Sequence, residues 1–246
     1  MAKFLPIDTP SPQRSAPASG FALWNLGFRP FYLLASIFAA LSVALWTAQY
    51  AGYLPDTYLR SQVWHGHEML FGYAMAVITG FLFTAVRTWT NQPTPTGLTL
   101  AAFAAFWLVG RVLMLTPYET AAAWVNAAFP VAVAVAIGIP LVRSGNRRNY
   151  FFVVLLLLLG LAVLALHLSY LGTLNWPARA SLQAGLDLVL AIMAVVLASI
   201  LTAFTYASAR MMNRLSSSFS VYTLYLAKSS FVSLRVTTGS TSTVLL

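Results

Sequence analysis

Six long apolar segments dominate this chain of 246 residues and restrict the folds that it can adopt. A helix needs about 20 mostly apolar residues to cross a bilayer, and it satisfies its backbone hydrogen bonds internally. Proline, glycine and asparagine interrupt the chain between the segments, for example at Pro55 and Pro117. The predicted spans are about 31–54, 67–86, 98–115, 121–142, 150–171 and 181–206. The sequence therefore predicts an all-α, polytopic membrane helix bundle with about six transmembrane helices.

The composition excludes several other classes of protein. Only 8% of the residues are charged, 59% are hydrophobic and the mean hydropathy is +0.77, whereas a soluble domain carries about 25% charged residues. The net charge of +9 lies in short loops between apolar runs, so it indicates orientation in a lipid bilayer and predicts no nucleic-acid partner. Cysteine is absent, which excludes disulfides, thiolate-bound haem and cysteine-held iron–sulfur clusters.

The basic residues are distributed unevenly between the two sides of the predicted bundle. One side holds Lys3, Arg14, Arg29, Arg87, Arg143, Arg147, Arg148, Arg210 and Arg214, and the other holds Arg60, Arg179 and, inside a helix, Arg111. Cytoplasmic loops are enriched in Lys and Arg, so we predict that both termini are cytoplasmic. Residues 1–20 have no apolar signal region and predict a disordered cytoplasmic tail. Residues 21–206 form the predicted transmembrane domain, and the Ser- and Thr-rich residues 207–246 predict a poorly ordered polar tail.

Ionisable side chains inside apolar segments are functional candidates, because they are costly in hydrocarbon unless they are paired or coordinated. This topology places six such side chains within roughly 10 Å of one depth, in the outer half of the bundle, at a rise of about 1.5 Å per residue. They are His65, His67, Glu68, Arg111, His167 and Asp187. The remaining inner half is almost purely apolar.

His65, His67 and Glu68 begin the second predicted span. Two imidazoles and a carboxylate are plausible transition-metal ligands, since imidazole suits copper, iron and zinc. However, residues two apart on a helix diverge, so one histidine is expected to point into the bundle and the other towards its rim. The alternative is that these residues only anchor a helix end at the membrane interface.

The remaining candidates also permit two interpretations each. His167, within LAVLALHLSYLG, is either an imidazole bonded to a neighbouring helix or an axial haem ligand opposite His67 or His65. Arg111 either pairs with Asp187 or holds a haem propionate, because guanidinium binds carboxylates bidentately.

Several stretches together resemble the NnrS family of bacterial inner-membrane proteins. The matching stretches are LGFRPFYL at 26–33, WHGHEMLFG at 64–72, GFLFTAV at 80–86 with Trp89-Thr90, LVGR at 108–111, RNY at 148–150 leading to His167, and GLDL at 185–188. The resemblance covers roughly residues 21–200. It implies a haem- and copper-containing protein linked to nitric oxide metabolism, denitrification and nitrosative stress. Family members are about twice this length, so the polar tail indicates a truncated chain.

A small-molecule or metal-ion transporter is the alternative function. The six polar side chains would then line a pathway, and broken helices are expected at the membrane midplane. Asn126, Pro130 and Pro140 in the fourth predicted span keep that hypothesis open.

Overall fold

A computed structural model describes residues 22–55, 58–59 and 61–238. The predicted tail at residues 1–20 lies outside these. The described residues are helical and include no strand. The main helices are α1 (Phe28–Tyr50), α2 (Ser61–His67), α3 (Met75–Thr90), α4 (Gly97–Leu113), α5 (Glu119–Arg143), α6 (Tyr150–Tyr170) and α7 (Ala178–Thr238). A π-helical turn, Glu68–Ala74, joins α2 to α3 without a break, so these elements make one long helix and the described chain has six.

The helices fit a membrane bundle by length and by composition. Five are long and apolar enough to cross a bilayer, and the sixth, α4, is apolar but has 17 residues. At 1.5 Å per residue, α4 is about 26 Å long, slightly less than a hydrocarbon core of about 30 Å. The prediction of an all-α bundle of about six helices is therefore confirmed.

The chain divides into two compact units, and the first ends at Ile192. Apolar side chains fill the interior of this unit and also lie on its outer surface. In its core, α5 packs along α6, and α3 packs against α1 and α5. Leu82, Val133 and Leu156 are completely buried there, whereas Ile37 and Leu161 expose 57% and 60% of their surface. Large apolar side chains over a whole outer surface are typical of helices that face lipid.

The second unit, Met193–Leu246, continues α7. The last span was predicted to end near residue 206 and to be followed by a polar tail, but the helix extends to Thr238. That prediction of the helix end is wrong. No proline follows Pro177 in the sequence, and no glycine lies between Gly185 and Gly239. Neither of the strongest helix breakers therefore interrupts α7 after Gly185.

Candidate metal centre

Two buried histidines from distant parts of the sequence meet in the first unit. His67, at the end of α2, and His167, in the last turn of α6, are both completely buried. Their Nε2 atoms lie 3.2 Å apart, and their ring planes are inclined by 71°. The two imidazoles therefore direct the same ring nitrogen towards a common point.

The other nitrogen of each ring is held by a hydrogen bond. Nδ1 of His67 lies 3.0 Å from the Glu68 carboxylate, which can only accept, so this nitrogen carries the proton. Nδ1 of His167 lies 2.7 Å from the Tyr58 hydroxyl. Burial, helped by the negative charges of Glu119 and Glu68, raises the pKa of Tyr58 and keeps its hydroxyl protonated. That hydroxyl also lies 3.6 Å from Met114 Sδ, and it accepts from or donates to Nδ1 of His167 according to the tautomer of that ring.

These partners are compatible with the same Nδ1–H tautomer in both rings. With a proton on each Nδ1, each Nε2 carries a lone pair; with the proton of His167 on Nε2 instead, that N–H donates to Nε2 of His67 at 3.2 Å. Two nitrogens bound to one metal at about 2.0–2.1 Å with tetrahedral angles would be about 3.3 Å apart. The observed 3.2 Å fits that arrangement. Among the described residues, no group of three or more His, Cys, Asp or Glu side chains could hold a metal ion, and the facing ring nitrogens belong to two histidines.

The π-helical turn explains how two adjacent residues can both serve this site. Neighbours on a regular α-helix point in different directions, but the turn that begins at Glu68 widens the helix. The indole N–H of Trp107 donates to the carbonyl of Gly72 at 3.1 Å and supports the turn from α4. The carboxylate of Glu68 can thus reach both its neighbour His67 and a side chain of α4.

That side chain is Arg111. One guanidinium nitrogen donates to Glu68 Oε2 at 2.6 Å, and the other terminal nitrogen donates to the side-chain oxygen of Asn126. Asn126 in turn donates to the carbonyl of Ala122 at 2.8 Å. Glu68 is 1% exposed and Arg111 is 7% exposed. Each of these buried charges therefore has the opposite charge as its partner within the bundle.

Four of the six predicted side chains are brought together, and two are not. His65 stacks on Trp46 at a centroid distance of 4.2 Å and stays away from the histidine pair. The structure therefore does not bring His65, His67 and Glu68 together: the two histidines diverge along α2, and Glu68 accepts from His67 and Arg111.

The predicted pair of Arg111 and Asp187 is also absent. Asp187 is exposed and accepts a hydrogen bond from Gln183 at 2.9 Å. One N–H on each terminal nitrogen of Arg111 donates to Glu68 or to Asn126, and its contact with a haem propionate stays a prediction.

A haem between the two histidines does not fit this arrangement. Axial imidazoles on opposite sides of one iron place their nitrogens about 4 Å apart, at about 2 Å per bond, and the macrocycle must lie between the rings. Nε2 of His67 is only 3.2 Å from Nε2 of His167, and the ring centroids are 4.9 Å apart. In this arrangement the two rings leave no room for a bis-histidine haem between them.

Sequence reasoning did not assign Tyr58 and Asn126 to this site. Asn126 gave a usable signal, since an amide inside an apolar helix needs a partner. Tyr58 gave none, because aromatic residues are common near the ends of membrane helices.

We expect Gly72→Ala to disturb the ion pair. A Cβ at Gly72 would lie 2.6 Å from an Arg111 nitrogen, 2.8 Å from the Phe38 ring and 3.0 Å from the Glu68 carboxylate. Such overpacking costs about 1–3 kcal/mol. The matched control is Gly66→Ala, whose Cβ would meet only Leu182 at 3.5 Å. Thermal unfolding in detergent should show a lower Tm for Gly72→Ala alone, and equal Tm values for the two variants would contradict this packing.

The fold and this centre define a class: a polytopic α-helical membrane protein with a buried polar site among its helices. A family model described as NnrS protein matches residues 22–246. The chain therefore belongs to the NnrS family. The match continues to the end of the chain, beyond residue 200, where the resemblance was expected to fade. No curated protein and no solved structure gives a significant match.

Proposed function

We propose that this NnrS-family chain binds one copper ion through Nε2 of His67 and Nε2 of His167. The observation that carries the proposal is the pair of facing, buried Nε2 atoms at 3.2 Å, both of which offer a lone pair to a metal when each Nδ1 carries the proton. At metal sites, a histidine that binds the metal through one ring nitrogen usually donates from its other ring nitrogen, often to a carboxylate.

The ligand chemistry favours copper among the common divalent ions. Imidazole suits copper, zinc, iron and nickel, and affinities for such a site rise to a maximum at copper. A copper ion held by two imidazoles supplies one-electron chemistry and an open coordination position. Glu68 orients His67, and Tyr58 orients His167. Haem, which the family resemblance also implies, has no place between these two rings and is not included in the proposal.

We further propose that the open position takes a small ligand such as nitric oxide, with a role in denitrification or nitrosative stress. This part rests on the family resemblance. The rival function, a transporter, predicts polar residues or broken helices at the midplane and in the inner half of the bundle. However, α5 continues from Glu119 to Arg143 through Pro130 and Pro140, so a resident metal is favoured.

Copper binding can be tested directly on the purified chain. The apo-protein, in detergent, should be dialysed against copper in the presence of a competing chelator, and the retained metal measured by mass spectrometry. We expect one copper per chain, and less zinc retained under the same conditions. Protein that retains no copper, or that gives a Soret band with haem as its only metal, would contradict the proposal.

The orientation of the histidine pair is a separate prediction. The bias of Lys and Arg places both termini in the cytoplasm and the pair in the outer half of a bacterial inner membrane. A reporter that is active only in the periplasm should work when fused after residue 58 and fail when fused after residue 146. The reverse pattern would place the pair on the cytoplasmic side.

A further inference from the structure

A groove of about 440 Å³ runs along the outer surface of the bundle between α5 and α6. Its lining includes Ala134, Gly138, Val142 and Arg143 of α5, with Val153 and Leu157 of α6. Arg143 lies in the last turn of α5 and is exposed. From position 134 to position 143 the helix advances about 14 Å, at 1.5 Å per residue. The groove therefore has an apolar body and one cationic end.

The groove continues along the same two helices towards the start of α5. A second groove, of about 400 Å³, shares Leu157 with the first and is also lined by Trp124, Ala127 and Gly160. The helices approach closely there, because a Cβ at Gly160 would lie 3.2 Å from the carbonyl oxygen of Ala127. From position 124 to position 143 α5 advances about 29 Å, close to the thickness of a hydrocarbon core of about 30 Å. Together the grooves offer a path as long as a lipid acyl chain needs.

The end of the groove at Arg143 is strongly basic. Arg147 and Arg148 follow in the short connection to α6, and both are exposed. Residues 120–186 contain no Asp or Glu, so no nearby carboxylate of these two helices or their connection neutralises the three arginines. An interfacial arginine lays its methylene groups along apolar surface and keeps its guanidinium in water. A ligand that is complementary to this groove therefore combines an anionic group with a hydrocarbon chain.

We propose that the groove binds one anionic phospholipid, with its phosphate at Arg143 and an acyl chain between α5 and α6. Guanidinium binds phosphate through paired N–H donors, and basic pockets between membrane helices bind anionic lipid head groups. The small residues of α5 would also suit the helix of a second copy. However, two copies inserted in the same orientation would place both Arg143 side chains at one level of the membrane, and like charges oppose such a contact. The lipid site does not depend on the proposed copper centre.

The head group can be tested by titrating the purified full chain in detergent with phosphatidylglycerol and counting bound lipids by native mass spectrometry. Phosphatidylcholine with the same acyl chains has no net charge and should bind more weakly. Arg143→Gln should weaken phosphatidylglycerol binding about fivefold, the contribution of one arginine near an anionic membrane surface. Arg87→Gln is the matched control, because Arg87 is also exposed in the last turn of its helix but lies outside the groove. Equal affinities for the two lipids, or equal losses in the two variants, would overturn the assignment.

Filling the groove tests the acyl chain. A Cβ at Gly138 would meet only Val153, at 3.8 Å, so Gly138→Leu should leave the packing of α5 on α6 intact and occupy the groove. We expect it to weaken phosphatidylglycerol binding at least as much as Arg143→Gln does. Ala121→Leu, at an exposed position of the same helix outside the groove, is the control and should bind the lipid normally.

Three results would refute this part of the proposal. Unchanged binding in Gly138→Leu would show that the groove does not hold the chain. Displacement of the lipid by an equal concentration of glycerol phosphate would show that only a phosphate is recognised. A mass of two chains that Gly138→Leu reduces to one would identify a second copy as the occupant.

Discussion

His67→Ala and His167→Ala are each expected to lower copper affinity by more than the roughly 10–100-fold that follows loss of a group hydrogen-bonded to a metal ligand. Each substitution removes one of only two imidazoles that face the proposed ion. Affinity would be measured by competition with a chelator of known copper affinity, on purified protein whose helical content is unchanged.

His65→Ala is the matched control for these variants. It removes the same side chain two residues away, where the ring stacks on Trp46 and does not contact the pair. We expect His65→Ala to bind copper as the unaltered chain does. Tyr58→Phe should give an intermediate loss of roughly tenfold, because it removes the hydroxyl that is hydrogen-bonded to Nδ1 of His167. A larger loss for His65→Ala than for His167→Ala would contradict the site.

Arg111→Gln and Glu68→Gln should each lower the free energy of unfolding by about 3–5 kcal/mol, because each leaves the other charge buried without its partner. The two groups lie 2.6 Å apart and are almost completely buried. Combining the substitutions removes both charges, so the double variant should be more stable than the sum of the single losses predicts. Reversible unfolding in mixed detergents would provide the four free energies of this cycle.

Asp187→Asn tests the specificity of that cycle. Asp187 is exposed and bonds to Gln183 within its own helix, so its substitution should change stability by no more than about 0.5 kcal/mol. Losses that add without coupling between Glu68 and Arg111, or strong coupling between Arg111 and Asp187, would show that this structure pairs the wrong groups.

Hydropathy was sufficient to predict the bundle, because each membrane helix satisfies its own backbone and needs mainly length and apolar composition. The depth argument was also informative for the site. It placed His67, His167, Glu68 and Arg111 at one level of the bundle, and the structure brings them into contact. Depth alone could not assign partners, since many pairings are possible among side chains at one level.

The errors concern features that hydropathy does not report. His65 was grouped with His67 and Glu68 from the sequence, but His65 stacks on Trp46, away from the site that His67 and Glu68 share. Asp187 was a candidate partner by depth, but its position on α7 is exposed. The extension of α7 to Thr238 was missed because a Ser- and Thr-rich composition was interpreted as a polar tail, although no proline interrupts it.

The central claim, that His67 and His167 share one copper ion, is tested most directly by X-ray absorption at the copper edge of the purified protein. We predict two imidazole nitrogens at about 2.0 Å from copper, and one imidazole fewer in His167→Ala. A copper spectrum without imidazole scattering, or an imidazole count that is the same in His167→Ala as in the unaltered chain, would contradict the claim.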